Sequence, residues 1–172
     1  MPVTGSDLPK AASRLHVRKG YESMSKLFIY YSFSGNGDAV AAKMAEKGFV
    51  LRKVETDFTL SDRLFPQMMK GGFSAAIGQR PALKGYDGDV SGFDEVCIGS
   101  PVWNGRLASP VNTVLRDTDL YGKKVSFILY SGSGGAKKAS AVIAKKYPDA
   151  SVTHLKQPKD HPEELEKLNA VY

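Results

Sequence analysis

An apolar strand that runs straight into a glycine-rich polar loop, and then into a helix, constrains this chain more than any other feature. Leu27-Phe28-Ile29-Tyr30-Tyr31 is an aromatic-rich run that reads as a buried strand. Ser32-Phe33-Ser34-Gly35-Asn36-Gly37-Asp38 follows at once, and Ala39 to Ala45 begins a helix. This order aims several backbone N–H groups, and the positive end of a helix dipole, at one point suited to a phosphate. Ser32 and Ser34 offer hydroxyls, Gly35 and Gly37 allow close backbone approach, and Asn36 offers an amide. No lysine lies in the loop, so it is not a triphosphate-binding P-loop, and the dinucleotide fingerprint is absent. A phosphomonoester held by neutral donors fits these residues better than a triphosphate with magnesium. The same residues also suit a plain strand-to-helix turn in which Asp38 satisfies the free N–H groups itself.

The pattern repeats along the chain. Gly48 ends the first helix, and 49–55 reads as a second strand. The stretch 57–77 is ambiguous: Leu64, Phe65, Met68 and Met69 have helical spacing, which Pro66 and Gly71-Gly72 interrupt. Residues 81–92 are turn-rich. A third strand covers 93–98 and ends in the loop Gly99-Ser100-Pro101-Val102-Trp103-Asn104-Gly105-Arg106, after which Ser109 caps a helix with Pro110 in its first turn. A fourth strand over 124–130 runs into Ser131-Gly132-Ser133-Gly134-Gly135. A helix over about 136–147, a fifth strand over 151–156 and a last helix over 162–168 complete the chain. Five strands alternating with helices predict one parallel sheet covered on both faces. Ligands of such sheets bind at the carboxyl ends of the strands, so the three Gly/Ser/Asn loops should converge.

Trp103 is the only tryptophan, and it falls in the second of these loops. Alone it reads either as a half-buried apolar anchor or as a flat face for a planar ring. Joined to a phosphate loop and a third Ser-Gly loop on one sheet edge, it points to a mononucleotide site.

Three segments carry a resemblance: Tyr30-Tyr31-Ser32-Phe33-Ser34-Gly35-Asn36-Gly37, Ile98-Gly99-Ser100-Pro101-Val102-Trp103-Asn104-Gly105 with the downstream Ser109-Pro110-Val111-Asn112, and Ser131-Gly132-Ser133-Gly134. In these the chain resembles the flavodoxin-like, FMN-binding proteins, from Met24 to its end. The resemblance implies a three-layer α/β sandwich around a five-stranded parallel sheet of order 2-1-3-4-5. An uninterrupted fifth strand places the chain with the short-chain members. It further implies that Ser32, Phe33, Ser34, Gly35, Asn36 and Gly37 hold the FMN phosphate. Ser100, Pro101, Val102, Trp103, Asn104 and Gly105, with Ser131, Gly132, Ser133 and Gly134, would then frame the isoalloxazine. The chain departs from the family pattern at Gly37, where members often carry threonine, at the following Asp38, and in a third loop without a ring-covering aromatic.

Composition narrows the rest. The 172 residues, 42% apolar, suit one domain, here 24–172, behind a polar 1–23 segment that reads as an appended or disordered leader. No apolar run reaches the ~18–20 residues of a membrane span. The net charge of +6 is spread as lysine pairs among acids, which argues for a solvated surface rather than nucleic-acid or membrane binding. The single cysteine, Cys97, sits in an apolar run; it excludes an intrachain disulfide or a thiolate metal cluster and is compatible with a cytoplasmic setting. His16, His154 and His161 fall outside the three loops and read as surface residues. Asp87, Asp89 and Asp94 read as solvated or turn-forming, so neither a catalytic acid or base nor a metal site is expected. The resulting expectation is an FMN redox protein serving partner proteins or a small acceptor such as a quinone. An NAD(P)H-dependent FMN quinone reductase and a flavodoxin-like binding module without FMN are the alternatives.

Overall fold

The computed structural model describes residues 24–56 and 80–172. The expected leader 1–23 and the ambiguous stretch 57–77 lie outside the described residues. The elements are β1 (Lys26–Tyr30), α1 (Asn36–Glu46), β2 (Val50–Lys53), β3 (Glu95–Trp103), β4 (Arg106–Leu107), α2 (Ser109–Asp117), β5 (Lys124–Ser131), α3 (Lys137–Lys146), β6 (Ser151–Lys156) and a terminal 3₁₀ helix (Pro162–Ala170). The sheet runs β2-β1-β3-β5-β6, all parallel, with β4 attached to the end of β3. This is the expected order once the extra hairpin strand is set aside.

The period-2 geometry of β1 sorts its side chains to two faces. Leu27 and Ile29 join Val96, Ile98, Phe127 and Leu129 beneath α2 and α3. Phe28 and Tyr30 join Cys97, Ile128, Tyr130 and Leu155 beneath α1 and the 3₁₀ helix. Each fully buried Leu, Ile or Phe contributes roughly 1.5–3 kcal/mol, which is why the central strands read as unbroken apolar runs. Burial pushes the Cys97 thiol up to about 12, the state of an inert core residue.

Three sequence expectations shift. β3 extends through Trp103, so Gly99 to Trp103 are strand rather than loop: Gly99 pairs with Ile128, Ser100 with Leu129 and Pro101 with Tyr130. Asn104 and Gly105 then form a two-residue turn with φ of 49° and 74°, and Val102 and Trp103 pair back with Leu107 and Arg106. Asn-Gly is the preferred pair for a primed hairpin turn because both residues take positive φ readily. Second, Ala108 rather than Ser109 stands at the cap of α2; Ser109 is fully buried inside the first turn. Third, His154 is not a surface residue. It lies partly buried in β6, with Nε2 3.1 Å from Ser140 Oγ and Nδ1 buried without a partner.

Burial, reinforced by Lys167, lowers the His154 pKa. An imidazole whose folded pKa is depressed favours the native state above its unfolded pKa, about 6.5, and that stability is lost as pH falls toward the folded value. Unfolding midpoints in urea should therefore drop as the pH is lowered from 7 to 5, and His154→Gln should flatten that drop. An unchanged profile in the variant would remove His154 from the account.

Candidate functional site

The carboxyl ends of β1, β3, β5 and β6 surround one cleft of about 300 Å³. Loop one contributes Phe33, Ser34 and Asn36 to it. The β3 end contributes Pro101, Val102 and Trp103, and the β5 end contributes Tyr130, Ser131 and Gly132. A fourth segment, after β6, adds Gln157, Lys159 and Asp160. The three expected loops do converge, but only part of each faces the cleft.

Loop one turns through Gly35, whose φ of 89° favours glycine; as the N-cap residue of α1 it offers no side-chain cap, and Ser32 Oγ accepts from Asp38 N–H at 3.3 Å in the first turn. Asp38 does not cap it. Its carboxylate accepts from Ser32 Oγ at 2.8 Å, from Lys53 Nζ at 2.7 Å and from Tyr30 Oη at 3.4 Å. Burial opposes its ionisation, but Lys53 and Ser32 outweigh that and hold the carboxyl below its usual range. The anion next to the loop is thus neutralised on the β2 side, and the Ser32 hydroxyl is spent on Asp38. Gly37 has a packing reason. A Cβ there would lie 2.6 Å from the Tyr130 hydroxyl and 2.9 Å from the Tyr31 carbonyl oxygen. The buried Tyr130 hydroxyl donates to that same carbonyl, filling the space under the loop.

At the other end, Trp103 is only 3% exposed. It meets Tyr31 and Phe33 in near-perpendicular contacts, with ring centroids 5.9 Å and 6.3 Å away. It borders the cleft, and its burial leaves no open face on which a planar ring could stack. Ser100 is fully buried, and its hydroxyl accepts from Ala108 N–H at 3.1 Å, which fastens the hairpin base. Asn104 and Gly105 are the hairpin turn and point to α3, where the Gly105 carbonyl accepts from Ala139 N–H at 2.8 Å. In the third loop, Ser131 Oγ accepts from Gly134 N–H at 2.9 Å and shapes its own turn, while Ser133 and Gly134 lie off the cleft lining.

The segment after β6 escaped the motif reading. Gln157, at φ 39°, accepts from both Asp160 and His161 N–H groups through its carbonyl, and this turn carries Lys159 back across Gly35. Asn36 Oδ1 accepts from Lys159 N–H at 3.0 Å, tying the two loops together. The sequence signal for it was the rule that strand carboxyl ends carry ligands, which applies to the last strand as much as to the first. His161 is half-buried beside Glu163 and does not line the cleft, and Asp87 and Asp89 form turns with the N–H groups of Asp89 and Ser91. His16 is outside the described residues. Among the described residues there is no cluster of metal-ligating side chains and no helix long and apolar enough to cross a membrane.

A doubly covered parallel sheet of this order, with its cleft at the strand carboxyl ends and a glycine turn opening the first helix, defines a flavodoxin-like α/β protein. The flavodoxin family model matches residues 25–167, and the chain belongs to that family. Among solved structures it is similar to a candidate flavoprotein of Bacteroides eggerthii DSM 20697, with 22% identity over 86% of this chain and 97% of that one and a TM-score of 0.68. It is also similar to a candidate flavoprotein of Bacteroides uniformis ATCC 8492, with 22% identity over 75% and 89% and a TM-score of 0.65. A flavoprotein of Lactobacillus acidophilus NCFM in complex with FMN shares 22% identity over 76% and 90%, with a TM-score of 0.56. No curated protein matches the chain.

Proposed function

We propose that this chain binds FMN non-covalently in the described cleft and serves as an electron-transfer flavoprotein. The observation that carries the reading is the start of α1 behind the Gly35 turn, where Ser32 Oγ takes only the Asp38 N–H, at 3.3 Å, and the Asp38 carboxylate is already paired to Lys53. The remaining first-turn N–H groups of a helix favour an anion, and the paired carboxylate no longer opposes one. Family membership and the FMN complex of the Lactobacillus relative support the same assignment. Ser34, Asn36 and the backbone of 35–37 would hold the phosphate. Pro101, Val102, Ser131 and Gly132 would border the ring, with Phe33 the side chain that adjusts to admit it. Bound there, FMN supplies the redox chemistry, and the chain orients it, limits its exposure to water and presents its edge to a partner.

The electron partner would be a redox protein or a small acceptor such as a quinone. On this reading the flavin is reduced through a partner rather than directly by NAD(P)H. Stopped-flow mixing of the FMN-loaded protein with NAD(P)H tests this: the flavin absorbance should persist. Rapid bleaching would instead assign an NAD(P)H-dependent reductase.

A further inference from the structure

Resting on the FMN reading, we infer that Lys159 makes this site prefer a phosphorylated flavin over the same flavin without its phosphate. Loop one contains no cation of its own, and the nearby Lys53 is consumed by Asp38 at 2.7 Å. Lys159 reaches the loop from the far edge of the sheet. Its stem lies over Gly35, with Cδ 3.2 Å from where a Cβ would stand, in close contact with the turn. Its backbone is fixed by Asn36 Oδ1 at 3.0 Å, while Asn36 Nδ2 donates to Ser34 Oγ at 3.0 Å. The two loops therefore present one hydroxyl, one amide and one ammonium together.

The ammonium itself is weakly engaged. Among the described residues its hydrogen bond is a long one, 3.5 Å, donated to the Ser34 carbonyl. It forms no ion pair with a described carboxylate, that of its neighbour Asp160 in the same cleft included. A lysine with no ion pair among the described residues, held over the glycine turn that opens a helix, is a point charge placed for a phosphate dianion. The isoalloxazine, bordered by the β3 and β5 ends, would not touch it. The charge thus discriminates between FMN and riboflavin, which differ in the phosphate alone.

Titration of the full chain with FMN and with riboflavin, followed by flavin fluorescence at low and high salt, tests this. Lys159→Met should weaken FMN by about tenfold, the scale of one charge-assisted hydrogen bond in a partly solvated site. It should leave riboflavin within about twofold and flatten the salt dependence of FMN binding. Lys159→Arg should keep most of the preference, and Lys145→Met, on an exposed face of α3, should change neither ligand. Equal weakening of both flavins, or no change for FMN, would overturn the role of Lys159 while leaving the FMN site standing. Wild-type protein that binds neither flavin would overturn both.

Discussion

Replacing Trp103 by alanine is expected to lower the unfolding free energy by about 3–5 kcal/mol, the range for removing a large buried aromatic. The sequence left this residue between an apolar anchor and a stacking face, and its 3% exposure in the β1/β3/β5 core decides for the anchor. Tyr31 and Phe33 pack at near right angles to it, and Val102 and Leu107 of the hairpin belong to the same cluster. Emptying that volume would loosen the cleft wall from behind. FMN affinity should therefore fall as a consequence of lost order, and Trp103→Phe, which refills part of the space, should recover both stability and affinity in part. Urea denaturation of the three proteins checks the order. A loss under about 1 kcal/mol for Trp103→Ala, with FMN binding still reduced, would instead describe a ring that stacks on the ligand.

The second large effect concerns Gly37, where family members often carry threonine. Introducing that threonine is expected to destabilise the protein by about 3 kcal/mol, the upper range for overpacking a fitted site. Its Cβ would stand 2.6 Å from the Tyr130 hydroxyl and 2.9 Å from the Tyr31 carbonyl oxygen, and neither can retreat easily. The hydroxyl is buried and bonded to that same carbonyl. Combining Gly37→Thr with Tyr130→Phe should restore part of the loss, because the phenyl ring removes the closest atom. The gain is limited, since the Tyr31 carbonyl then loses its donor. Thermal unfolding of the two single variants and the double variant measures the coupling. Additive losses would mean that Gly37 and Tyr130 do not share this space.

These two residues show where the sequence was legible. β1, α1 and α3 follow from local pattern: an apolar run, a glycine stop, a lysine-rich helix ended by proline. Strands alternating with helices imply a parallel sheet covered on both faces, while its order is implied only by the resemblance to the flavodoxin-like proteins. The hairpin at Asn104-Gly105 was equally visible as a turn signal, but a strand continuing past Gly99 is decided by pairing with β5, which only tertiary structure supplies. The same limit hid the real partners of Asp38. Nothing in the spacing of residues 30, 32, 38 and 53 shows that β2 brings Lys53 to the loop, because the pairing of Tyr30 with Lys53 is a register fact. Lys159 escaped notice for a related reason: its segment lacks the Gly/Ser composition of the other loops, and only the turn at Gln157 returns it to the cleft.

On the proposed function, the cleft at the strand carboxyl ends holds FMN. Titrating the purified protein with FMN, while following the emission of its single tryptophan, tests it most directly. Trp103 borders the cleft, so bound flavin should quench that emission in a saturable way at micromolar FMN, with a matching shift in the flavin absorbance bands. Quenching that merely grows in proportion to added FMN, with unshifted bands, would contradict the claim and leave a flavodoxin fold that works without the flavin.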